Sequence, residues 1–126
     1  MQQTIAKVFG WVIILVGVIG FFSGSASMTT GMELGLFPVN LVHNVAHILI
    51  GLWGINAART AAGAVDYCKQ AGVLYLLLGI LGLIPATVRM FADIMPIGGH
   101  DHLLHLVLGL ILVYVGIRGG SSQATA

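Results

Sequence analysis

Two short runs carry side chains that could do chemistry in an otherwise apolar chain. His43 and His47 lie four residues apart, and His102 and His105 three apart with Asp101 beside them. Residues three and four apart share one face of a helix, so each run offers two imidazoles in one direction. That is metal-ligand spacing. Neutral imidazole binds zinc, copper, nickel or iron, and Asp101 could serve as a ligand or as the group that orients one. His43, His47, Asp101, His102 and His105 are therefore the candidate metal ligands. A facing His47–His105 pair could instead hold a haem between helices, with Gly51 and Gly109 one turn deeper leaving room for a flat ring.

The elements that must position these groups are helices. In Leu36 to Gly54 the residues Asn40, His43, Asn44, His47, Gly51 and Gly54 fall on one stripe, while Leu41, Val42, Ile48, Leu49, Leu52 and Trp53 fall opposite. One face is polar and small; the rest suits lipid or an apolar core. Asn40 or Pro38 suits the start of this helix. Asn40 and Asn44 are read as structural polar contacts between helices. In the last apolar segment Asp101, His102, His105 and Gly109 repeat that register.

Composition defines the class. The chain has 126 residues, 58% hydrophobic and 7% charged, with a mean hydropathy of +1.03. Soluble domains carry about 25% charged residues. Four apolar segments stand near spanning length, about 4–22, 39–58, 71–88 and 98–117, and a helix needs roughly 20 residues to cross the hydrocarbon core. The first is read as a retained span rather than a cleaved leader, because the third repeats its glycine pattern. Pro85 should kink or end the third. The whole chain, 1–126, reads as one integral membrane domain, with a disordered polar tail over 119–126.

Lys7, Arg59, Lys69 and Arg118 fall on one side of these four segments and only Arg89 on the other. The positive-inside rule then places both termini in the cytoplasm of a plasma (inner) membrane. The histidines belong to the outer side.

The chain also repeats itself. Gly10, Gly17 and Gly20 match Gly72, Gly79 and Gly82 at an offset of 62, and Pro38, His47 and Gly51 match Pro96, His105 and Gly109 at an offset of 58. The expected fold is all-α: a four-transmembrane-helix bundle built from two tandem two-helix hairpins, related as a parallel repeat. Gly10, Gly17, Gly51, Gly72, Gly79 and Gly109 are the expected helix-packing positions, since small residues let backbones approach where lipid supplies no hydrophobic drive.

LGLFPVN with the H-N-x-x-H and glycines that follow, then a basic loop, an apolar span and D-H-L-L-H, resembles a family of small bacterial four-span integral membrane proteins classed as a domain of unknown function. The resemblance covers Ile5 to Ile117 and implies fold and location, with no activity or cofactor attached. On matching positions its polar signature falls on Asn40, His43, Asn44, His47, Asp101 and His105.

Other chemistries find little support. No Ser–His–Asp or Cys–His arrangement and no phosphate-binding glycine loop is present, so no catalytic residue is named and the chain is not read as an enzyme. Cys68 stands alone and reads as an inert thiol. Five scattered basic residues make no nucleic-acid surface. The expected function is a small non-catalytic multi-pass protein, an accessory or structural subunit that packs in the bilayer with itself or with a larger complex and carries no cofactor. The alternative is a redox or sensing protein that holds a transition metal or haem in the histidine cluster.

Overall fold

A computed structural model describes residues 1–98 and 100–125, with side chains through residue 120. The protein is mostly helical, in the order α1 (Gln2–Ile19), a π-helical turn (Gly20–Gly24), β1 (Gly31–Glu33), β2 (Phe37–Val39), α2 (Leu41–Ala57), α3 (Ala61–Leu81), α4 (Pro85–Phe91) and α5 (Asp101–Thr125). Three stretches are long and apolar enough to cross a membrane: Gln2–Gly24, Ala61–Leu81 and Asp101–Gly120. The apolar helix Leu41–Ala57 is shorter.

The distribution of side chains fits a membrane protein. Large apolar residues such as Trp11, Leu15, Leu49, Leu77, Leu110 and Ile111 are exposed, each more than half so. Asn40, His43, Asn44, His47, Asp101 and His105 are buried. A water-soluble fold buries its large aliphatics and leaves such polar groups outside. Here the outside is the apolar part.

The helices pair closely as α1 with α2 and as α3 with α5, while α1 barely touches α5 and α2 touches α3 more lightly. Glycines set the close pairs. A Cβ placed on Gly10 would lie 2.7 Å from the Gly51 carbonyl oxygen, and one on Gly51 would lie 2.5 Å from that of Gly10. In the other pair, a Cβ on Gly72 would lie 3.1 Å from the Gly109 oxygen and one on Gly109 2.9 Å from that of Gly72. Gly17 faces Ile48 and Gly79 faces Leu106; Gly20 faces Asn44 and Gly82 faces His102. Each contact in one pair has a counterpart in the other at the offsets of 62 and 58.

Three features depart from the sequence reading. The stretch 61–70, taken as connection, is the first half of α3, so the helix runs over 61–81 rather than 71–88. Thr60 caps it by accepting from the Gly63 backbone N–H at 3.0 Å, and Tyr67 and Cys68 on its inner face are fully buried. A capped alanine-rich start outweighs the two charges, Asp66 and Lys69, in this stretch. The helix ends at Leu81, before Pro85, which opens α4 at a position where a missing N–H costs nothing. The loop before α2 is not irregular throughout: β1 and β2 pair antiparallel, Gly31 with Val39 and Glu33 with Phe37, around Leu34 at φ 52° and Gly35 at φ 72°. Positive φ at successive residues suits a tight hairpin turn. Finally, the segment 119–126 read as disordered continues α5 as helix through Thr125; residue 126 lies outside the described residues.

Candidate functional site

Asn40 begins the site. Its Oδ1 accepts from the His43 backbone N–H at 3.0 Å, which makes it the N-cap of α2. Its Nδ2 donates to the Ile94 carbonyl at 2.8 Å. One side chain thus starts the helix and ties it to the connection before α5. A turn further on, the Asn44 Nδ2 donates to the Ser25 carbonyl at 2.8 Å, holding α2 against the end of the π-helical turn.

With α2 fixed at its start, the spacing of four turns His43 and His47 the same way, towards His105 of α5. A nitrogen of each of the three rings lies within 4.8 Å of a nitrogen of the other two. Ring centres are 4.5 Å apart for His43 and His47 and 6.3 Å apart for His43 and His105. All three residues are buried. Ligand nitrogens about 2.1 Å from a tetrahedral ion stand about 3.4 Å from one another. Closing the present spacing to that value would draw together rings from both helix pairs, two on α2 and one on α5.

Of the five candidate metal ligands, the structure brings together His43, His47 and His105. Asp101 is buried one turn before His105 but stands outside the three-nitrogen group. His102 points elsewhere: its Cβ meets Gly82, and with Arg89 and Val88 it lines an open depression on the outside of the α3–α5 pair. The three-residue spacing that put His102 and His105 on one face is offset enough to send them to different neighbours. His47 and His105, the pair read as possible haem ligands, each have a neighbouring ring. His43 packs on His47, and the Tyr75 ring sits 5.2 Å from that of His105.

Tyr75 and Glu33 belong to the site and carry no sequence signal. Tyr75 is an aromatic in an apolar run, where core packing is the ordinary reading; Glu33 lies in what reads as a polar loop. Tyr75 is 1% exposed and its hydroxyl has no hydrogen-bond partner. The hairpin folds back and leaves Glu33 4% exposed, and burial pushes its carboxyl above the usual carboxylate range. Glu33 and Asp101 line the same cavity.

His43, His47, Tyr75 and His105 form a partition with a cavity on each side. The larger, about 310 Å³, lies between α1 and α5 under the hairpin, and Glu33 and Asp101 line it. The smaller, about 180 Å³, lies between α2 and α3 under the Met95–Ile97 stretch. Their walls correspond. His43, Ala46, His47 and Ile50 of α2 line the smaller, and Asp101, Leu104, His105 and Leu108 of α5 line the larger, 58 residues on in each case.

Several polar atoms here lack a partner: the Nδ1 atoms of His43, His47 and His105, the Tyr75 hydroxyl and one Asp101 oxygen. Most buried polar groups find a partner, and leaving one unmet costs about 1–3 kcal/mol. These atoms come from three helices, α2, α3 and α5, and Asn44 Oδ1 and His102 Nδ1 nearby are likewise without a partner.

Fold and site together define a helical protein, apolar outside and polar within, with a buried three-histidine centre. The chain belongs to the family described as a domain of unknown function (DUF4383), whose model matches residues 3–118. Comparison with curated proteins and with solved structures gave no match.

Proposed function

We propose that the protein is a four-span integral membrane protein that holds one first-row transition-metal ion on His43, His47 and His105. The carrying observation is the convergence of three buried imidazoles from two helices, their Nδ1 atoms unpartnered, within 4.8 Å. An all-nitrogen set suits zinc, copper, nickel or iron and disfavours magnesium and calcium, which take oxygen. Three protein ligands leave a fourth position open, the arrangement of sites that bind or exchange a ligand. Tyr75 and Asp101 line the same cavity as the three histidines and would be available to hydrogen-bond a further ligand.

The four-span reading takes α2 as the fourth crossing, extended by the strand residues before it, and places both termini in the cytoplasm of the plasma (inner) membrane. The paired glycine contacts and the corresponding cavity walls support a duplicated two-helix hairpin, with the metal centre where the two copies meet. A cysteine introduced at Ser25 should react with an impermeant reagent from outside the cell, and a reporter fused after Gly119 should read cytoplasmic. The opposite pattern would invert the orientation.

A second reading keeps the protein as a metal-free accessory subunit or homo-oligomer. Asn40 and Asn44 favour it, because their bonds to Ile94 and Ser25 already join the helices to the loops without an ion. Cobalt(II) separates the two. In detergent-purified protein, added cobalt should develop the visible absorption of a four-coordinate nitrogen site, and His47→Ala and His105→Ala should each abolish it. Wild-type protein that stays colourless with excess cobalt would leave the accessory reading.

A further inference from the structure

The two cavities beside the histidine partition are covered by corresponding stretches of chain, and at one position the copies differ in chemistry. Phe37, Pro38 and Val39 before α2 stand 58 residues ahead of Met95, Pro96 and Ile97 before α5. Phe37 and Val39 line the larger cavity, and Met95, Pro96 and Ile97 line the smaller. The first copy thus presents a phenyl ring, which offers no metal ligand, where the second presents a thioether, which does. Met95 is also held in place. The carbonyl of its neighbour Ile94 accepts from Asn40 Nδ2 at 2.8 Å, and its own backbone N–H donates to the Phe91 carbonyl at 2.8 Å. Asn40 is the cap of the helix that carries His43 and His47, so the methionine's backbone is tied to the start of that helix.

Resting on the metal reading of the same site, we infer that the ion is copper(I) and that the Met95 thioether takes the position the three imidazoles leave open. Met95, His43, His47 and His105 all line the one cavity of about 180 Å³. An unbranched methionine side chain has three rotatable bonds with which to approach the rings across so small a space. The donors are then all neutral, three nitrogens and a soft sulfur, and thioethers select copper(I) over zinc and the harder ions. No carboxylate lines this cavity among the described residues, so no anionic oxygen competes with the sulfur there. The larger cavity holds Glu33 and Asp101 but no sulfur. The fourth donor therefore comes from the smaller side. Zinc uses the three nitrogens and has no need of the thioether.

The test uses the full-length protein in detergent, reduced and free of oxygen, with copper(I) shared against a coloured copper(I) chelator. Met95→Leu keeps the size of the side chain and removes the sulfur. It should weaken copper(I) binding at least about tenfold and leave zinc binding within about twofold of wild type. Phe37→Leu, the corresponding change in the other copy, should alter neither. X-ray absorption of the copper(I)-loaded wild type should show a sulfur neighbour beside the nitrogens, and this neighbour should vanish in Met95→Leu. Copper(I) binding that ignores Met95→Leu, equal weakening of both ions, or a copper shell without sulfur in the wild type overturns the inference. Protein that binds zinc through its histidines while giving any of those results keeps the metal reading. Protein that takes up neither zinc nor copper(I) sinks both.

Discussion

The contacts within each helix pair and those between the pairs are built on opposite terms. Within α1–α2 and within α3–α5, glycine faces glycine and the backbones touch, Gly10 on Gly51 and Gly72 on Gly109. Between the pairs, Tyr67 of α3 packs against Phe9 and Trp53 at one end, while at the other the helices leave a gap that holds two cavities and a wall of His43, His47, Tyr75 and His105. Close backbone approach leaves no room for a ligand; separation leaves room and must be filled. The glycine contacts hold each pair together, and the space between the pairs is where the proposed ion would sit.

The largest effect should come from breaking a close pair. Gly10→Leu and Gly72→Leu each force a side chain into a facing carbonyl, and overpacking of this kind costs about 3 kcal/mol or more. Loss of the folded species on heating in detergent should be similar for the two, since they occupy corresponding positions. A large loss for one and none for the other would break the correspondence between the pairs.

Next come the histidines. If an ion joins the pairs, adding zinc at a hundredfold excess over its dissociation constant should stabilise wild-type protein by about 2.7 kcal/mol. His47→Ala and His105→Ala should each remove that gain, and the double variant should lose no more than either alone. Additive losses with no response to zinc would mean separate local contacts.

Asn40→Ala should cost about 2 kcal/mol, because it removes the α2 cap and strands the Ile94 carbonyl together. An exposed cap such as Thr60 should cost about half that on replacement by alanine. Equal costs would remove the role given to Asn40 as a tie between the pairs.

The smallest effect concerns Glu33, whose acid neighbour is Asp101. Burial raises its folded-state value above 4.5, so in metal-free protein its contribution is fully present below about pH 4.5 and is lost as pH rises through the raised value. Glu33→Gln should flatten that loss and slightly raise the thermal midpoint at neutral pH. A lower midpoint there would show that the ionised form is the one the fold prefers.

Much of this contrast is written in the residue spacing. The offsets of 62 and 58 pick out glycines that do pair across helices, because a backbone contact needs only small residues at the right helical register. The stripe of Asn40, His43, Asn44 and His47 is legible for the same reason. What spacing could not carry is direction at the level of a single turn. His102 and His105 share a face on paper, yet they meet Gly82 and Tyr75 respectively, since the interhelical position decides which neighbour each reaches. Nor could it carry the fold-back of β1 and β2, which depends on a turn at Leu34 and Gly35 and alone brings Glu33 inside. The start of α3 is hidden by its charges, of which Asp66 is exposed and Lys69 lies against Gly116 of α5.

The central claim is that the three histidines hold an ion between the pairs. Elemental analysis of protein purified from membranes without chelators tests it most directly. The account requires about one transition-metal ion per chain in the wild type, and less than about a tenth of that in a folded His105→Ala variant. Metal-free wild-type protein that also takes up none when supplied, or a variant that keeps its ion, would contradict it.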